Sequence, residues 1–317
     1  MSGTLPQELG DPAPATSASP LATFASVSRI HIIAIAMLGT LTFGWLFTGR
    51  YPTFLTFVVG FDWFVVNLLN RVVDLDEDRT NGIRGTDFVD RHRRGLSWLG
   101  FGTLAVSFVA VHLVAPAVTP FRVAYQCLGL AYNWPILPGR RRIKALYFWK
   151  NTASATGFLL TVFAYPLADA GAFSSPAAFA SVMPRGVSFA TIAVSAVFFF
   201  LFELSFEVLY DLRDAPGDAA ANVRTYPVVH GHRAAVRIVD ALLVTSSLTL
   251  LVGYASGVVP WRIVVMVAAP AVQAVAAKRA LRRGITSADC IGITWIGAAL
   301  LAIYHVWILL RLPGIGL

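Results

Sequence analysis

Apolar residues along the chain gather into long blocks, separated by short connections that hold most of the charge. Blocks of roughly 17–25 residues have the length a helix needs to cross a bilayer. The pattern predicts nine such helices, over residues 30–48, 51–73, 96–118, 121–134, 148–167, 187–210, 236–254, 258–275 and 290–310. The fourth is short for a span. The expected fold class is all-α: a multi-pass membrane protein, a single bundle of about nine transmembrane helices.

Composition agrees with the pattern. The 317 residues are 56% hydrophobic and 13% charged, and the mean hydropathy is +0.67. A water-soluble domain of this size needs more polar surface to cover its core. No shift in composition marks a second folded domain, so residues 29–317 are expected to form one unit. Residues 1–28 are rich in Pro, Ala, Ser and Thr and carry no Lys or Arg. They are expected to be a disordered cytoplasmic tail, because a cleaved secretory signal would begin with a basic stretch. Cys127 and Cys290 both fall inside predicted spans, which suggests neither a disulfide framework nor a zinc site.

The formal net charge of +8 does not point to nucleic acid, because the basic residues sit in alternate connections. Arg71, Arg79, Arg84, Arg91, Arg93 and Arg94 lie between spans two and three. Arg140, Arg141, Arg142, Lys144 and Lys150 lie between spans four and five or at their edge. Two further groups follow spans six and eight, whereas the other connections hold only Arg50, Arg122, Arg185 and Arg262. The positive-inside rule then places the amino terminus in the cytoplasm, the carboxyl terminus outside, and the protein in the cell membrane.

Acidic residues concentrate in two segments, both at the predicted cytoplasmic ends of helices. Asn70, Asp74 and Asp78 are spaced i, i+4, i+8, which puts their oxygens on one helical face over roughly 12 Å. Glu207, Asp211, Asp214 and Asp218 follow i, i+4, i+7, i+11, although Pro216 and Gly217 predict fraying near Asp218. Each stacked like-charged pair costs about 3 kcal/mol at an effective dielectric near 20. Protons or hard divalent cations must offset that repulsion. An all-oxygen set of Asp and Asn suits Mg2+, which binds substrate phosphates through one or two carboxylates per ion. A proton or cation pathway would instead place carboxylates near mid-span.

At these residues the chain resembles the UbiA superfamily of intramembrane prenyltransferases. That superfamily has nine helices, a motif Asn-x-x-x-Asp-x-x-x-Asp after helix two and a motif Asp-x-x-x-Asp after helix six. Here the first reads Asn70, Asp74, Asp78 and the second Asp214, Asp218, with Glu207 at a preceding acidic position. The basic stretch from Tyr132 to Lys144, ending in Lys150 and Asn151, is similar to the loop after helix four. The stretch from Val223 to Gly231 is similar to the one after the second motif. The chain departs from many members at Arg71, where they have Asp, and at Gly85, where they have an Arg-Pro pair.

The resemblance implies that Mg2+ is held by Asn70, Asp74 and Asp78 on one side and by Asp214, Asp218 and either Glu207 or Asp211 on the other. It implies transfer of a prenyl group from an isoprenoid diphosphate donor to an aromatic or lipid acceptor, with release of pyrophosphate. Asp74, Asp78, Asp214, Asp218 and Lys150 are expected to carry the ionisation. Arg79, Arg84, Arg141 and Lys144 are the further cations expected to neutralise the diphosphate. Tyr210, with Phe64, Tyr132, Trp134, Phe202 and Phe206, is expected near the carbocation, which aromatic faces stabilise. The partners expected are the donor, the acceptor and membrane lipid. Two alternatives stand beside transfer: cyclisation of the same cation, and a non-enzymatic transporter. A CDP-alcohol phosphotransferase is disfavoured, because no Asp-Gly-x-x-Ala-Arg precedes Asp74 or Asp214.

Overall fold

The computed structural model describes residues 19–311. Most of the expected amino-terminal tail, residues 1–18, lies outside the described residues. Its last part differs from expectation: Pro20–Val27 forms helix α1, opened by the Ser19 hydroxyl accepting from the Ala22 amide. Next come α2 (Ile30–Thr48), α3 (Thr53–Val73), α4 (Leu75–Thr80) and α5 (Thr86–Val114). α6 (Thr119–Asn133) is followed by α7 (Trp149–Leu159), which continues through a π turn (Leu160–Ala164) into α8 (Tyr165–Asp169). The short α9 (Pro176–Val182) precedes the long α10 (Phe189–Ala220). The chain ends with α11 (Tyr226–His230), α12 (His232–Ala255), α13 (Trp261–Val264), α14 (Ala268–Arg282) and α15 (Ser287–Leu309).

Among the described residues, seven helical stretches are long and apolar enough to cross a membrane. α6 and the continuous α7–α8 stretch occupy the fourth and fifth places predicted from the sequence. The protein is thus an all-helical, multi-pass membrane fold. In hydrocarbon every backbone amide and carbonyl must be satisfied within its own segment, which is why such chains fold as helices.

α2 packs against α3, α15 and the π turn, while α10 packs against α7 and α12. Between these helices Phe43 stacks on Phe163 with ring centroids 4.6 Å apart, and Phe199 meets Phe43 edge-on at 5.4 Å. A second apolar cluster, including Leu209, Leu243, Ala277 and Ile293, ties α10 to α12, α14 and α15. The outer faces are apolar as well. On α5, Trp98 is 80% exposed and Leu113 76%, surface that belongs against lipid rather than water.

One buried polar network holds α3, α5, α6 and α8 together. Arg122 donates through Nε and Nη2 to Asp62 at 2.7–3.1 Å and through Nη1 to the Ser107 carbonyl at 2.8 Å. Gln126 and the Tyr165 hydroxyl also donate to Asp62, each at 3.1 Å. The sequence pattern places Arg122 in a connection, but it lies in the first turns of α6 and is 1% exposed. A charged pair this deep persists only because its hydrogen-bonding capacity is met.

Candidate functional site

Both acidic stripes keep their register, by different means. α3 ends at Val73 and α4 begins at Leu75, with Asp74 between them at φ −94°, ψ 26°. The i→i+4 bonds nevertheless continue, from the Asp74 amide to Asn70 and from the Asp78 amide to Asp74, both 2.9 Å. The fraying expected near Asp218 does not occur, because α10 runs through Pro216 to Ala220. Gly217 serves close approach here rather than a helix stop: a Cβ on it would lie 2.1 Å from the Asn81 side-chain oxygen. The loop after α4 therefore abuts α10, and the two stripes face one cavity.

That cavity has a volume of about 710 Å³. Asn70, Asp74 and Asp78 line one wall, and Glu207, Asp211, Asp214 and Asp218 line the other. Lys144, Lys150, Arg84 and Tyr210 also line it, as expected from the sequence. Arg79 and Arg141 do not reach it. Arg79 pairs outward with Asp90 at 2.9 Å and Asp76 at 3.5 Å. Arg141 is exposed, its backbone bridged to Leu137 across a turn in which Gly139 and Arg140 both have positive φ.

Arg142, the next residue, turns inward in place of Arg141. It donates to Asp74 at 3.0 Å and to Glu77 at 2.7 Å. Lys144 donates to Asp74 at 2.6 Å and also pairs with Glu77. Arg142 is extended and Lys144 lies in the 3-10 turn Ile143–Ala145 that follows, so no simple period in the sequence marks these two as the inward cations. Asn70 donates to Asp74 at 2.6 Å and to Asn133 at 2.7 Å.

On the opposite wall, Lys150 donates to Asp211 at 2.8 Å and to Asp218 at 3.2 Å. Asn151 donates to the other oxygen of Asp211 at 2.7 Å. Asp214 pairs with Arg213, whose guanidinium lies 4.7 Å from the Tyr210 ring centroid. Glu207 differs from these aspartates: the Ser154 hydroxyl donates to it at 2.6 Å, and among the described residues it is in no ion pair. Outside the spans, burial pushes the Asp78 carboxyl above the usual carboxylate range, against the opposing pull of Arg29 and Arg71. Arg71, which directly follows Asn70, pairs with Asp78 and donates to the Arg84 carbonyl at 2.7 Å.

Away from the carboxylates the cavity becomes apolar. Trp63, Val66, Tyr125, Leu128, Tyr132 and Phe158 line that part. Trp63 and Phe158 lie with ring centroids 4.1 Å apart, and the Trp63 indole donates to Thr161 at 3.1 Å. Tyr132 and Tyr210 are the two expected aromatics that reach the cavity. Phe64, Trp134, Phe202 and Phe206 pack elsewhere, while Trp63, Tyr125 and Phe158 were not legible as lining residues. Histidine plays little part: His31 touches the cavity, His230 bonds the Tyr147 hydroxyl at 2.5 Å, and His305 bonds Thr42 at 2.7 Å.

The lining holds seven carboxylates against five cationic side chains, so a multivalent anion could not settle there without added positive charge. Among the described residues no three acidic or imidazole groups converge into a ready-made metal cage. The oxygen-rich walls thus fit a hard cation that completes its shell with water and phosphate, as Mg2+ does. They do not fit a structural ion held by protein alone.

The sequence matches no family model and no curated protein. Its architecture does match solved structures. A UbiA homolog from Archaeoglobus fulgidus bound to GPP and Mg2+ superposes with a TM-score of 0.65 over 90% of this chain and 98% of that one, at 14% identity. The chain has the UbiA fold. A UbiA homolog from Aeropyrum pernix K1 in its apo form gives a TM-score of 0.61 at 12% identity, covering 88% of this chain and 98% of that one. A digeranylgeranylglyceryl phosphate synthase gives 0.55 at 15% identity, covering 92% and 96%. With seven stretches long and apolar enough to span among the described residues, the nine helices expected from the sequence are an approximate count.

Proposed function

We propose that the protein is a membrane prenyltransferase of the UbiA type, which ionises an isoprenoid diphosphate in the presence of Mg2+ and passes the prenyl group to an aromatic or lipid acceptor. The observation that carries this reading is the two-part cavity, with paired acidic stripes at one end and a cluster of aromatic side chains at the other. The structural neighbour bound to GPP and Mg2+, and a second bound to DMAPP and Mg2+, support it by fold.

Asn70, Asp74 and Asp78 on one wall, with Asp211, Asp214 and Asp218 on the other, are the residues that would hold Mg2+. Held there, Mg2+ would supply positive charge that makes pyrophosphate a better leaving group, the electron pair of the broken allylic C–O bond departing with it. Lys144, Lys150 and Arg142 already stand at the height of those carboxylates and add donors where negative charge develops. Trp63, Tyr125, Tyr132 and Phe158 keep water from the hydrocarbon and turn aromatic surface toward the allylic cation, each contact contributing about 0.5–2 kcal/mol. The charged end faces the cytoplasm in this reading, following the distribution of Lys and Arg.

The test is Mg2+-dependent release of pyrophosphate from geranyl, farnesyl and geranylgeranyl diphosphates by detergent-purified protein, with membrane extract as a source of acceptor. Release by the parent, and mass detection of a prenylated product, support transfer. A folded protein that releases no pyrophosphate from any of the three overturns it.

A further inference from the structure

Helix α1 has no role in the reading above, yet it covers the charged end of the cavity. Ala22, Ala25 and Ser26 line the space. The Ser26 hydroxyl donates to the Arg84 carbonyl at 2.8 Å, and Val27 packs so closely on Gly85 that an added Cβ there would lie 2.7 Å from it. The same Arg84 carbonyl accepts from Arg71, which pairs with Asp78. Two side chains therefore link α1 to a carboxylate of the first stripe.

Only Ser28 and Arg29 join α1 to α2. Arg29 has φ 50° and ψ 49°, the left-handed region where a side chain with a Cβ is strained and glycine is the relaxed occupant. Strain of this kind persists at sites of function when the surroundings hold it. The Arg29 side chain lines the cavity together with Asp78 and Glu207, one from each acidic segment. Among the described residues it is in no ion pair, whereas Lys144, Lys150 and Arg213 are each held by a carboxylate. α2 begins at the same place, with Ile30 and His31 in the lining, so the positive end of its dipole faces the same space.

We propose that Arg29 is a ligand of the donor's diphosphate mounted on the hinge of a lid, and that the bound diphosphate holds α1 closed over the site. The inference rests on the prenyl diphosphate reading. A guanidinium already positioned but without a partner loses little freedom on taking an anion, and its planar fork suits two phosphate oxygens. Closure would shut water out of the charged end during ionisation.

The test uses the full chain in detergent, with inorganic pyrophosphate and Mg2+ as the probe. Calorimetric titration compares the parent with Arg29→Gly and Arg29→Lys, and hydrogen exchange is followed over residues 20–30. Glycine relaxes the backbone at φ 50° while removing the charge, so it separates the two roles of this position. The expected result is a loss of affinity of roughly tenfold to a hundredfold in Arg29→Gly, with most of it kept in Arg29→Lys. Exchange over residues 20–30 should slow on adding the probe to the parent and not to Arg29→Gly. Unchanged affinity in Arg29→Gly overturns the ligand role, and unchanged exchange in a pyrophosphate-bound parent overturns the lid. A folded parent that binds no pyrophosphate removes the diphosphate reading itself, and this inference with it.

Discussion

The Lys150 ammonium lies 2.8 Å from the Asp211 carboxylate, both side chains being buried. The same ammonium reaches Asp218, so one cation spans two turns of α10. Removing it in Lys150→Ala leaves two close carboxylates uncompensated. The expected cost is about 3–5 kcal/mol without added metal. Thermal unfolding in detergent should show a lowered midpoint that Mg2+ partly restores, more so than in the parent. Equal midpoints for parent and variant would contradict this account of the wall.

Asp62 and Arg122 form a separate pair, away from the cavity. Arg122→Met strands a buried carboxylate and is expected to destabilise by about 3–5 kcal/mol. The double variant Asp62→Leu, Arg122→Met removes both charges and should recover much of that loss. Unfolding midpoints of the single and double variants check this, and pyrophosphate release by the double variant should stay near that of the parent.

Metal removal bears on the site directly. Chelation with EDTA is expected to abolish pyrophosphate release, and Mg2+ to restore it. Asp74→Asn and Asp214→Asn, one from each wall, are each expected to lower the rate on the order of a hundredfold or more. Retention of the parent rate by either one would show that its wall is not needed for ionisation.

The apolar end offers a test of donor length. A Cβ at Gly157 would lie 3.4 Å from Tyr125, in ordinary contact, so further atoms must project into the remaining space. Gly157→Val is expected to lower the preference for geranylgeranyl over geranyl diphosphate roughly tenfold. Competition between the two donors, read by product mass, measures the ratio.

Much of this arrangement was legible in the sequence, and what was legible is local. Spans follow from runs of apolar residues, because a bilayer has a set thickness and only a helix satisfies its own backbone there. The faces shared by Asn70, Asp74 and Asp78, and by Glu207, Asp211 and Asp214, follow from helical period alone. Local signals misled at Pro216, where a proline and a glycine predict an end. The helix continues there, and Gly217 makes room for Asn81 from another segment.

The cations show where local reasoning stops. Arg141 and Arg142 are chemically identical neighbours, and a turn at Gly139 and Arg140 decides which of them faces Asp74. Arg79 follows the first stripe directly yet is drawn outward by Asp90, eleven residues on. Arg29 directly follows the stretch that reads as tail, and it becomes part of a wall only where α1 docks on Gly85. The sequence by itself determined the membrane spans and the two carboxylate faces, since both depend on repeats of one helix. Only the tertiary structure decided which cations and aromatics meet those faces, because long side chains and loop turns are placed by contacts between segments far apart in the chain.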